Sequence, residues 1–167
     1  QIVYIRPGTF VIFDRVKSKD PSFTKTWLLH AAKPPTGEGQ NRVITNGKGR
    51  LHMQTVLPVS ARIVLNQGED LYRYAGEHFP PRSTYGPSAE CRIEVSPAKP
   101  SRIDYFLHVL TATDATVNTV ATATASVGKE KIVCAIGSTK ITFLTSKVGG
   151  SLIHDGKRTT FVSSIER

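Results

Sequence analysis

Several residue types are scarce in this chain, and each scarcity closes off a function. There are two cysteines, one methionine and one tryptophan in 167 residues. No C-x-x-C pair occurs, which argues against a cysteine-built zinc site. Cys91 and Cys134 both lie in apolar, strand-like sequence. They read as two buried free thiols, with a single disulfide as the alternative. No apolar run reaches 18 residues, so no stretch is long enough for a membrane-spanning helix. The start has no methionine, charged leader segment or signal-like apolar core. It opens directly in strand-like QIVYIRP, which reads as a mature form or a piece of something longer. Acidic residues are also short: 13 against 22 Lys and Arg, a net charge of +9. Such an excess favours a polyanionic partner. The cations are dispersed, with no block of five, so the positive field belongs to a folded surface rather than a tail.

Helical periodicity is nearly missing too, and period-2 alternation is widespread. Strands are expected at Ile2–Ile5, Thr9–Val16, Thr24–Ala31, Val43–Ile44, Gly49–Leu57, Ala61–Leu65 and Leu71–Tyr74. More follow at Cys91–Val95, Asp104–Thr113, Val117–Ser126, Lys131–Ile136, Lys140–Leu144, Ser151–His154 and Arg158–Ser163. Gly/Pro turns separate them, and Asn46-Gly47 and Asp155-Gly156 suit type I′ hairpins. Many short antiparallel strands with such punctuation predict an all-β antiparallel sandwich, one domain over residues 1–167. In TFVIFDRV, Phe10 and Ile12 face one side and Val11 and Phe13 the other, the pattern of a strand covered on both faces. Ser96–Pro100 is a rigid elbow between two strands.

Catalytic motifs are absent. There is no G-x-S-x-G elbow, no P-loop, no dinucleotide fingerprint and no calcium loop. No H-x-H or H-E-x-x-H spacing marks a metal site, and no cofactor or metal is expected. His30 shares its strand face with Leu28, and His108 with Phe106 and Leu110, so both read as core histidines. His52, His78 and His154 lie near turns or in polar strands and read as solvated.

One region departs from the regular pattern. Gly68–Ala89 packs aromatics and arginines around two prolines. Long connections of this kind are more often functional than structural. Tyr72, Arg73, Tyr74, His78, Arg82 and Tyr85 are the candidate ligand-binding residues. Guanidinium forks match carboxylate and sulfate oxygens, and aromatic faces offer flat apolar area to a sugar ring. The competing reading is an aromatic cluster that only packs this segment onto the sheet.

A set of motifs in fixed order adds to this. F-D-R-V at Phe13–Val16 is followed by K-x-W-L-L-H at Lys25–His30, L-P-x-x-A-R-I at Leu57–Ile63 and R-I-E-V-S-P at Arg92–Pro97. Together they resemble the C-terminal β-sheet region of heparinase II/III-like polysaccharide lyases, over about Ile2–Ala115. The resemblance implies a β-sheet module joined to the remainder of a lyase chain that cleaves uronate polysaccharides by β-elimination. It further implies that the catalytic Tyr and His and any zinc site lie mainly on a helical toroid and segment that this chain does not include. The expectation is a secreted or periplasmic, non-catalytic module for an acidic polysaccharide (glycosaminoglycan, alginate or ulvan-like). The alternative is a structural domain that supports the toroid. Neither a nucleic acid nor a membrane is expected as partner, because the charge comes without any nucleic-acid-reading motif.

Overall fold

A computed structural model describes residues 1–81, 86 and 88–162. The first six strands are β1 (Ile2–Ile5), β2 (Thr9–Lys17), β3 (Trp27–Ala31), β4 (Asn41–Asn46), β5 (Gly49–Leu57) and β6 (Ala61–Gln67). A 3-10 turn at Gly68–Tyr72 leads into a small hairpin, β7 (Arg73–Tyr74) and β8 (Glu77–His78). The chain continues through β9 (Cys91–Pro97), β10 (Ile103–Asp114), β11 (Ala123–Val127), β12 (Lys131–Ile136), β13 (Thr139–Leu144), β14 (Gly149–His154) and β15 (Lys157–Val162).

The all-β antiparallel sandwich expected from the pattern is what forms, with three layers. The middle sheet has the order β1-β2-β10-β5-β4. The meander β11-β12-β13-β14-β15 covers one face, and β3-β9-β6 covers the other. Alternation along the middle strands explains why both faces are dry. Val11 and Phe13 of β2 and Leu107 and Val109 of β10 pack against Ile132, Cys134, Ile141 and Phe143 of the meander. Leu110 of β10 and Met53 of β5 instead meet Cys91, Ile93 and Val95 of β9, and Ile12 packs against this second cluster. Each large side chain taken fully from water contributes about 1.5–3 kcal/mol. Phe10, which shares its face with Ile12, stays 40% exposed and stacks on Tyr4 with centroids 4.7 Å apart. The two cysteines are free, and each is buried in a different one of these two interfaces.

Side-chain hydrogen bonding accounts for one difference from the expected strands. Val117–Ser126 is strand only from Ala123 to Val127. The segment before it is held by alternate residues of β5. Arg50 donates to Val117 O and Asn118 Oδ1, both at 2.7 Å. His52 Nε2 lies 3.2 Å from Val117 O, and the Gln54 amide binds Ala121 O and Ala123 N at 2.9 Å. His52 is therefore buried, not solvated as its polar strand suggested. The reverse holds for His30: it lies exposed on the outer face of β3, because Trp27, Leu29 and Ala31 form the inward row. Leu71 and Tyr72 close a 3-10 turn where a strand was expected.

Two hairpins show how turn chemistry resolves. Asp155 and Gly156 both have positive φ (48° and 72°), as a type I′ turn requires. At the other, Asn46 is the last strand residue and the loop is Gly47–Lys48, with only Gly47 at positive φ, so it is not type I′. Pro97 ends β9, and Ala98–Pro100 carries the chain from the three-stranded layer to the middle sheet, as the elbow reading anticipated.

Candidate functional site

The outer face of the three-stranded layer is the place to begin. Inward Cys91, Ile93 and Val95 alternate with outward Arg92 and Glu94, and β3 turns Leu28 and His30 outward beside them. The aromatic insertion folds over the upper part of this face. Leu71, 5% exposed, is its hydrophobic anchor. Arg92 is its polar anchor: Nη1 donates to Leu71 O at 2.5 Å, Nη2 to Arg73 O at 2.7 Å and Nε to Glu94 Oε1 at 2.9 Å. A cation whose donors are spent in this way positions the insertion and has little left for a ligand.

Beyond the anchor, Tyr74-Ala75-Gly76-Glu77 reverses the chain. Ala75 and Gly76 both have positive φ (51° and 85°), and Phe79 N donates to Tyr72 O at 2.7 Å. The result is an open groove of about 290 Å³ lined by Leu28, His30, Tyr72, Tyr74, Phe79 and Arg92, with Leu71 and Glu94 at its base. Tyr74 is 73% exposed, Phe79 56% and Leu28 51%. Large apolar surfaces left in water around a groove mark an interaction site more often than a packing defect.

Of the residues singled out in the sequence, Tyr72 and Tyr74 line this groove. Arg73 and His78 face each other across β7 and β8, both exposed. Arg73 is balanced by acids of the preceding turn: Nη2 lies 3.4 Å from Glu69 Oε2 and Nε 3.8 Å from Asp70 Oδ1. Arg82 and Tyr85 lie outside the described residues. Leu28, His30, Leu71, Phe79, Arg92 and Glu94 were missed. For Arg92 and Glu94 the signal was present, since charged residues alternate with Cys91, Ile93 and Val95. For β3 it was ambiguous, because both of its faces carry apolar residues.

Three other titratable groups, His108, Cys91 and Cys134, are buried in the core. His108 is fully buried, with its ring stacked on Trp27 at 3.8 Å and Nδ1 3.3 Å from Thr55 Oγ1. Its Nε2 is buried with no hydrogen-bond partner, and burial pushes its pKa down to about 3. A bulge places it there: Leu107 faces Leu57 and His108 faces Thr55, leaving Val56 extra. It is neutral core, as its neighbours in the sequence indicated. Burial raises the pKa of Cys91 and pushes that of Cys134 up to about 11, so both thiols stay protonated and unreactive. Among the described residues no three of His, Cys, Asp and Glu come together as metal ligands. No described helix is long and apolar enough to cross a membrane. A scan of protein-family models and a search of curated proteins both return no match, so the lyase resemblance rests on the motifs alone.

Proposed function

We propose that this chain is a non-catalytic carbohydrate-binding sandwich for acidic polysaccharide, uronate-containing or sulfated, working beside a heparinase II/III-like lyase. The observation that carries the reading is the groove with Tyr74 and Phe79 held out into solvent on an anchored insertion. An aromatic ring presents flat apolar area to a sugar face at little entropic cost, and the +9 charge favours an acidic polymer. Calorimetry with heparin, chondroitin sulfate, hyaluronan and alginate at low and moderate salt tests it. Binding of at least one is expected, weaker at moderate salt. Tyr74→Ala and Phe79→Ala should each weaken it by about two- to tenfold. Absence of heat with all four polymers overturns the reading. Ultraviolet absorbance of unsaturated uronate should stay flat in the same samples, and a sustained rise would contradict the non-catalytic assignment.

A second reading, structural support of a lyase toroid, has its own observation. Edge strand β1 and the β14–β15 hairpin frame an apolar cleft of about 410 Å³ that includes Leu152 and Phe161. At its rim Ile2 is 68%, Tyr4 50% and Val148 54% exposed. Glycan binding separates the two readings: a purely supporting domain binds none of the four polymers.

A further inference from the structure

Arg73 of the aromatic insertion is already balanced by Glu69 and Asp70. A group of exposed cations stands at the opposite end of the sandwich. Lys17 ends β2, Lys19 lies in the β2–β3 loop, and Lys99 and Arg102 lie in the β9–β10 connection. Ser18 N donates to Arg102 O at 3.0 Å, which ties these two loops together. The meander contributes Lys129 and Lys147 at the same end. Arg15 of β2 reaches across to Thr145 O, while Thr145 Oγ1 donates to Lys129 O at 2.8 Å. All seven of these lysines and arginines are exposed. None is ion-paired among the described residues.

The acids nearby are partly committed. Asp104 is taken by Lys25, and the Asp20 carboxylate accepts from Ser22 N and Oγ at 2.8 and 2.7 Å. Asp14, Glu130 and the still-ionised Asp20 remain, three acids against seven cations. The loops are also pre-organised. Lys25 Nζ donates to Asp104 Oδ2 at 2.7 Å, Ser101 O at 2.5 Å and Phe23 O at 3.3 Å, clamping both loops at one buried point. Between Arg15 and Lys147 a polar cleft of about 200 Å³ opens at this end.

We propose that the acid groups of the polysaccharide, carboxylate or sulfate, are taken at this basic end rather than by Arg73 of the aromatic insertion. The inference rests on the polysaccharide-binding reading above. The seven residues of β9 put about 20 Å between the two regions, a span a polymer covers and a single sugar does not. Individual exposed pairs are weak, so the surface works through several contacts at once.

Two variants test it, Lys17→Ala/Lys99→Ala/Arg102→Ala and Lys129→Ala/Lys147→Ala, with Arg73→Ala as comparator and heparin as probe. The triple variant should bind heparin about tenfold more weakly, the double about threefold, each with a shallower salt dependence and an unchanged unfolding midpoint. Arg73→Ala should bind as the parent does. If alanine lowers the midpoint, glutamine versions keep the side-chain stems and the test. Parent-like heparin affinity in both basic-end variants overturns the inference and leaves the binding reading intact. So does a loss confined to Arg73→Ala. A parent chain silent toward every glycan removes the binding reading itself. Tighter binding to duplex DNA than to heparin overturns the choice of partner.

Discussion

The two ends of the three-stranded layer are closed by the same device with different consequences. At the aromatic end, Arg92 takes two main-chain carbonyls, Leu71 O and Arg73 O, and one carboxylate, Glu94. At the basic end, Lys25 takes Phe23 O, Ser101 O and the Asp104 carboxylate. The first clamp is partly open, with side chains 11% and 25% exposed; the second is nearly sealed, at 6% and 9%. Around the first, charges cancel locally and aromatics stay in water. Around the second, exposed lysines and arginines outnumber the nearby acids Asp14, Asp20 and Glu130. Both clamps consume their own carboxylate, so the surface charge is set by the neighbours: Glu69 and Asp70 beside Arg73 at one end, unpaired lysines and arginines at the other.

Breaking the sealed clamp should have the largest effect. Lys25→Ala leaves Asp104 buried without its partner and should cost about 3–5 kcal/mol in urea unfolding. Replacing both by apolar residues of similar size should cost much less. A cost below 1 kcal/mol for Lys25→Ala would mean the pair is not sealed.

The core between the two ends responds to acid. His108 carries a pKa of about 3 in the folded chain against 6.5 unfolded. The unfolded state therefore binds the proton first as pH falls. Its contribution is complete above about pH 6.5 and shrinks toward pH 3, about 3 kcal/mol lost between pH 7 and 4. His108→Phe should flatten that part of the stability profile. An unchanged slope would show that His108 is not the titrating group.

The open clamp should contribute less than the sealed one. Arg92→Ala should cost about 1.5–3 kcal/mol, as the loss of charge-assisted bonds to carbonyls holding the insertion. Arg73→Ala, which breaks only exposed pairs, should stay within about 0.5 kcal/mol. Equal costs would mean that the insertion is held by its surface pairs and not by Arg92.

Much of the sandwich was legible because strand alternation is a local property. Ile2–Ile5, Gly49–Leu57 and Lys131–Ile136 stand where their patterns put them. TFVIFDRV announced a strand covered on both sides, and β2 lies between two layers. Less of the site was legible. Tyr72 and Tyr74 could be named from composition, whereas Leu28 and His30 are 42 or more residues away along the chain and become neighbours only when β3 pairs with β9. The irregular stretch before Ala123 was unreadable for the same reason: its hydrogen bonds go to the side chains of β5 rather than to a neighbouring strand.

The amino-acid sequence by itself determined the class of structure, the turn positions and the excess of positive charge. These follow from side-chain period, backbone freedom at Gly, Pro and Asn, and simple counting. Tertiary structure alone decided which face of β3 meets water, that His52 is buried and His30 is not, and which arginines are already spent. Those outcomes depend on what packs opposite each residue, and strands distant in sequence supply that partner.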